Sequence, residues 1–140
     1  GLVGRVVAVS PNTSRVLMIS DPTSRVGGKV SRSRAMGVIR GQSNNRVVME
    51  FFDKFPDIKA GDVVMTSSYS RLFPQDIPIG RVESIDLTKT PAPEAIIQLS
   101  APLPILEWVT IQPFEPLESV DIPTVPEKDD DMEVPDGGLP

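Results

Sequence analysis

Short runs of alternating apolar and polar residues, broken by clusters of turn-forming residues, fill most of this chain. A period of two puts every second side chain on one face of a strand, so each run predicts a half-buried β-strand. Residues 2–9 and 15–20 predict a hairpin closed by Pro11-Asn12-Thr13-Ser14. Residues 27–31 and 35–40 predict two shorter strands joined by the polar link Ser31-Arg32-Ser33-Arg34. Gly41-Gln42-Ser43-Asn44-Asn45 reads as a turn leading into a buried strand over 46–52. A tight turn at 57–62 launches a strand over 63–66. Residues 67–78 contain Pro74 and Pro78, which cannot donate to a ladder, so they predict a surface loop with apolar anchors. A second hairpin follows over 79–85 and 95–99, and 106–111 predicts a last strand.

Two of these hairpins repeat each other. Gly4-Arg5-Val6 leads through a polar turn to Ile19-Ser20 and Pro22, while Gly80-Arg81-Val82 leads through a longer one to Leu99-Ser100 and Pro102. A pattern of strand, turn, strand and closing proline, used twice, predicts two similar β-modules. The expected fold class is all-β, with two small barrel or sandwich subdomains built from a duplicated hairpin module. The first subdomain would comprise 1–27 with 100–114, use the strand at 106–111 and be incomplete, its upstream strands missing. The second would comprise 28–99.

Composition sharpens this picture. Fifteen prolines and 10 glycines leave few windows for a helix, and with aromatic residues at 5% the core must rest on Val, Ile, Leu and Met. The net charge of -5 divides unevenly: residues 1–114 carry 13 Lys/Arg against 10 Asp/Glu, whereas 115–140 carry Lys128 against 9 acidic residues. With six prolines in the last 28 residues, 115–140 is expected to be a disordered acidic tail. No apolar run approaches the roughly 18 residues a membrane helix needs. The chain opens directly on a strand, which suggests that upstream sequence precedes it in the whole protein.

The chemistry on offer is sparse. Histidine and cysteine are both absent, which removes the usual general base, the commonest metal ligand and any thiolate site. Asp21, Asp57, Asp62 and Glu94 are scattered singly, and Asp21 and Asp57 sit where Asp bonds its own turn. No enzyme activity and no cofactor are expected. Residues 22–49 carry Arg25, Lys29, Arg32, Arg34, Arg40 and Arg46 without an acidic residue. This stretch reads either as a solvated strand edge, which arginine protects from aggregation, or as a surface for an anionic polymer or membrane. On an exposed edge, charge reversal at Arg32 and Arg34 would leave folding intact. Nucleic acid is not an expected partner, because no aromatic residue in the stretch could stack on bases. In the 67–78 loop, Tyr69, Leu72, Phe73 and Ile77 read either as a protein-binding patch or as a lid that plugs a barrel end.

An ordered set of motifs then narrows the field. Gly1-Leu2-Val3-Gly4-Arg5-Val6, Pro11-Asn12-Thr13-Ser14-Arg15-Val16-Leu17, Asp21-Pro22, Gly61-Asp62-Val63-Val64-Met65-Thr66-Ser67, Phe73-Pro74 and Ile77-Pro78-Ile79-Gly80-Arg81-Val82 occur in sequence. Over roughly residues 1–112 the chain resembles the MreC family of rod shape-determining proteins. The resemblance implies a single-pass inner-membrane protein with a periplasmic coiled coil and two β-domains, its membrane helix and first strands lying upstream. It implies a non-enzymatic scaffold of the elongation machinery that self-associates as a dimer or filament. Its implied partners are MreD, the actin-like MreB system and the transpeptidase, a penicillin-binding protein, that builds lateral peptidoglycan. The family likeness to chymotrypsin-like barrels could not extend here to a triad, since no histidine exists. Where the family loop reads Thr-Ser-Gly, a glycine pair and then Phe-Pro-Pro-Gly, this chain has Ser68, Tyr69, Ser70, Gln75 and Asp76.

Overall fold

The computed structural model describes residues 1–43 and 46–114. Eight strands occur among them: β1 Gly4–Val9, β2 Ser14–Met18, β3 Arg25–Val30, β4 Met36–Ser43, β5 Arg46–Phe51, β6 Val63–Thr66, β7 Pro78–Asp86 and β8 Glu94–Leu99. One turn of 3-10 helix, Leu103–Ile105, follows β8. Six strands close into an antiparallel barrel in the order β3-β4-β5-β8-β7-β6, and β1 pairs only with β2 in a separate sheet.

The period-two pattern explains the barrel interior. Val26 and Val30, Ile39, Val47 with Met49 and Phe51, Val64, Ile79, and Ala95 with Ile97 and Leu99 converge there with exposures of 5% or less. A barrel this narrow has room only for side chains, so these residues form one continuous core. Ile19, just past β2, and Phe73 from the β6–β7 loop complete the cluster. Polar residues take the outer face, where Arg40 lies between Glu50 and Glu94 and Arg46 pairs with Glu83.

The repeated glycines occupy equivalent places. Gly4 opposes Met18 and Gly80 opposes Leu99 in their hairpins. A Cβ on Gly4 would run into the Leu17 carbonyl oxygen, and one on Gly80 into that of Gln98. Each hairpin therefore needs a residue without a side chain where its two backbones approach.

The hairpin β1–β2 is fastened beside the barrel. The Leu2 N–H donates to the Pro78 carbonyl at the start of β7 at 2.8 Å, while the bond from the Ile19 N–H to the Val3 carbonyl, also 2.8 Å, extends the hairpin's own pairing. The backbone at Ser20 and Asp21 crosses so close to Gly41 of β4 that a Cβ there would strike it.

The all-β class stands, with the duplicated module giving one closed barrel and one two-stranded hairpin among the described residues, while three expectations change. Residues 106–111 form no strand: no ladder partner lies alongside them among the described residues, and strand propensity alone does not satisfy backbone groups. The barrel begins at Arg25, so the expected boundary at residue 28 falls inside β3. Gly41 to Ser43, read as turn, extend β4, whose pairing with β5 shifts between Gly41 and Ser43. The expectation for 115–140 lies outside the described residues, as do Asn44 and Asn45.

Candidate interaction surface

A half-open groove of about 940 Å³ runs between the hairpin, the β6–β7 loop and the chain beyond β8. Leu2, Val6 and Met18, Leu72 and Phe73, and Trp108 and Ile111 are among the residues that line it. Trp108 is 89% exposed and Ile111 64% exposed, large apolar side chains with almost no cover. The neighbouring hairpin sheet has two strands only, and Val7, Val9 and Val16 are exposed on it. Contiguous apolar surface beside unpaired strand edges is the physical signature of a place where another polypeptide packs. None of the residues 106–114 was singled out by the sequence patch; a strand reading at 106–111 concealed that its apolar side chains lack a core.

The β6–β7 loop is folded tightly against the barrel. The Thr66 hydroxyl donates to the Pro74 carbonyl at 2.6 Å and accepts the Ile77 N–H at 2.8 Å. The Ser67 N–H donates to the Gly27 carbonyl at 3.0 Å, and Ser70 lies over Gly27 where a Cβ would not fit. Phe73 is buried in the core and Ile77 is half-buried, whereas Leu72 and Tyr69 are exposed. The loop thus divides: Phe73 joins the core, Leu72, Phe73 and Ile77 line the groove, and Tyr69 meets Phe52 edge-on with ring centroids 5.0 Å apart. Phe52 was legible only as the end of a strand, because a contact spanning 17 positions leaves no local signal. Of the residues standing where the family has glycine, Asp76 takes φ +65°, a conformation Asp tolerates better than most side chains. Its carboxylate pairs with Lys29 at 2.6 Å.

The basic stretch does not form an exposed edge, since β3, β4 and β5 are paired on both sides in the closed barrel. Lys29, Arg32, Arg40 and Arg46 each have carboxylate partners. Arg25 instead donates to the carbonyls of Pro22 and Ser24 at 2.8 and 2.9 Å. Arg34 sits in the β3–β4 turn with φ +67°. Arg32 is the most engaged. Its guanidinium donates to Asp62 at 3.1 and 3.0 Å and to Asp57 at 3.2 and 3.0 Å. Hydrogen bonds from Arg32 hold both carboxyls below the usual carboxylate range, and the guanidinium is itself raised. Charge reversal at Arg32 would set three carboxylates together, so it should destabilise the fold, contrary to the edge reading. Fusing four cations with acids from elsewhere in the chain removes most of the net positive field that the sequence displays.

The acids are likewise occupied structurally. Asp21 accepts the Thr23 N–H and hydroxyl, as Asp86 does from Thr88, which lowers both carboxyls. Asp57 differs from expectation, bonding Arg32 rather than its own turn. Among the described residues no cluster of three or more His, Cys, Asp or Glu could hold a metal ion. No described helix is long and apolar enough to cross a membrane.

Fold and groove together define a small β-barrel module flanked by an open hairpin, with apolar surface presented outward. Residues 1–113 match the family model "Rod shape-determining protein MreC, barrel core", and the chain belongs to the MreC family. It is 31% identical over 123 residues to the cell shape-determining protein MreC of Cereibacter sphaeroides, covering 88% of this chain and 39% of that protein. The chain therefore spans about two fifths of that relative's length. Among solved structures, MreC from Pseudomonas aeruginosa superposes with a TM-score of 0.62 at 30% identity, over 71% of this chain and 67% of that one. A structure described as the major periplasmic domain of the cell shape-determining filament MreC gives a TM-score of 0.60 at 25% identity, over 72% and 65%. The Helicobacter pylori MreC, solved in complex with penicillin-binding protein 2, shares the fold at 19% identity, with a TM-score of 0.52 over 64% and 56%.

Proposed function

We propose that this chain is the barrel module of a non-enzymatic scaffold that organises lateral peptidoglycan synthesis and rod shape at the periplasmic face of the inner membrane. The observation that carries the reading is the groove: exposed Trp108 and Ile111 beside an open two-stranded sheet, where an enzyme would place converging polar groups. Partners in this reading are a penicillin-binding transpeptidase and further copies of the chain, with MreD and the MreB system reached through the whole protein. Support comes from the Helicobacter pylori relative, solved with penicillin-binding protein 2, and from the relative described as a filament. The amino-terminal hairpin, the β6–β7 loop and residues 100–114 together offer the groove, while the barrel strands supply its rigid support. Of the loop and arginine candidates, Tyr69 and Leu72 contribute exposed apolar surface. Phe73 and Ile77 position the loop from below, and Arg25 and Arg32 serve local structure.

Photo-cross-linkers placed at Leu106, Tyr69 and Arg34 of the full-length membrane protein test this. Capture of the transpeptidase or a second copy from Leu106, and little from Arg34, is the expected result. Capture confined to Arg34, abolished by moderate salt, would instead support the reading in which a basic surface binds an anionic polymer or membrane.

A further inference from the structure

The barrel consists of two three-stranded meanders, β3-β4-β5 and β6-β7-β8, that meet along two seams. The seams are unequal. β5 and β8 pair over five residues, from Arg46↔Gln98 to Glu50↔Glu94, whereas β3 and β6 pair over three, Gly28↔Thr66 to Val30↔Val64. Just two further backbone bonds extend the short seam, from the Ser31 N–H to Val63 and from the Ser67 N–H to Gly27. Neither seam is a hairpin, so no tight turn holds its strands together.

Side chains bracket the short seam at both ends. At one end Arg32, just past β3, grips Asp62, just before β6. Toward the other, Lys29 of β3 reaches across to Asp76, beyond β6. Each pair joins a sheltered side chain to a more open one: Lys29 at 12% exposed with Asp76 at 63%, and Asp62 at 10% with Arg32 at 40%. Bidentate geometry strengthens the Arg32–Asp62 pair, and the open members leave both pairs within reach of salt.

We infer that the β3–β6 seam is the line along which the barrel opens, with β5–β8 as hinge, and that the Arg32–Asp62 and Lys29–Asp76 pairs form a salt-sensitive clasp holding it shut. Opening leaves backbone groups of β3 and β6 unpaired, which is why a seam of three pairs requires reinforcement.

Amide hydrogen exchange on the whole chain tests the device. The amides of Ser31 and Ser67 report the seam, and that of Phe51, which donates to Pro93 beside β8, reports the hinge. In the wild type, Ser31 and Ser67 should exchange faster than Phe51, and the gap should widen at about 1 M salt, where screening acts within roughly 3 Å. Arg32→Gln and Asp76→Asn should each accelerate Ser31 and Ser67 by about fivefold while leaving Phe51 unchanged. Asparagine tolerates the φ of position 76, so that variant removes charge without altering the turn. The inference fails if seam and hinge amides exchange at one common rate, or if neither salt nor either substitution changes their ratio. Should Arg32→Gln not fold, Asp76→Asn and the salt series still decide the matter.

Discussion

The two copies of the hairpin module meet different fates. In the second copy, β8 is buried at every other position, with Ala95, Ile97 and Leu99 at 5% exposure or less. In the first, β2 begins with three exposed residues, and Val16 is 39% exposed. Both copies carry Gly-Arg-Val at the start and a glycine pressed against the opposite backbone. The difference lies in their neighbours: β7 and β8 are flanked by β6 and β5, whereas among the described residues β1 and β2 pair with each other alone. A strand's burial is thus a property of its position in a sheet, and one module can serve as core in one place and as exposed surface in another.

Mutations at matched positions test that contrast. Ile97→Ala should cost about 2–5 kcal/mol by leaving a cavity in a core that cannot collapse, while Val16→Ala should stay within about 0.5 kcal/mol. Chemical denaturation of both variants measures the gap, and equal losses would mean the hairpin belongs to the barrel's core. Gly80→Val should destabilise by about 1–3 kcal/mol through the forced clash with Gln98, with Gly4→Val costing less because the outer hairpin can splay. A Gly4→Val variant as unstable as Gly80→Val in thermal melts would make the two copies energetically equivalent.

A pH series separates the barrel's ion pairs from the groove, whose lining holds no carboxylate side chain among the described residues. Arg32 lowers the Asp57 and Asp62 carboxyls in the folded state, so the folded protein binds fewer protons than the unfolded chain near the ordinary carboxylate range. This stabilisation is complete above the unfolded value of about 4 and is lost as pH falls through the lowered folded values. The thermal midpoint should therefore hold from neutral pH to about 5, fall below about 4, and fall less steeply in Arg32→Gln. An acid limb identical in wild type and variant would remove Arg32 from the account. The smallest stability effect belongs to the groove: Trp108→Ser should change unfolding free energy by less than about 0.5 kcal/mol, because the ring is 89% exposed. The same substitution should reduce cross-linking from Leu106, and unchanged capture would move the interaction surface elsewhere.

Much of the barrel was legible in the sequence. The runs that became β3 to β8 were located within a few residues, because alternation directly records which face of a strand meets a core. The glycine repeat also carried real geometry, since Gly4 and Gly80 both sit where a side chain cannot. The interaction surface was harder to read. Tyr69 and Leu72 were recognisable as apolar residues in a proline-rich loop, but Phe73 beside them turned out to be core. Trp108 looked like part of a strand because its neighbours alternate acceptably, and only the absence of an adjoining strand among the described residues reveals it as surface.

What the sequence determined by itself was local: the period-two runs, the turns at Asp21 and Asp57–Asp62, the close approach at the repeated glycines, and the want of histidine and cysteine. Each follows from bond geometry or residue chemistry within a few positions. Closure of one module and not the other was decided only in three dimensions, as were the pairing of a basic stretch with distant acids and the exposure of Trp108. The ion pairs bring residues together across 10 to 54 positions, as Arg40 is with Glu50 and with Glu94. Contacts at that range arise from the packing of the whole barrel, and no short pattern along the chain records them.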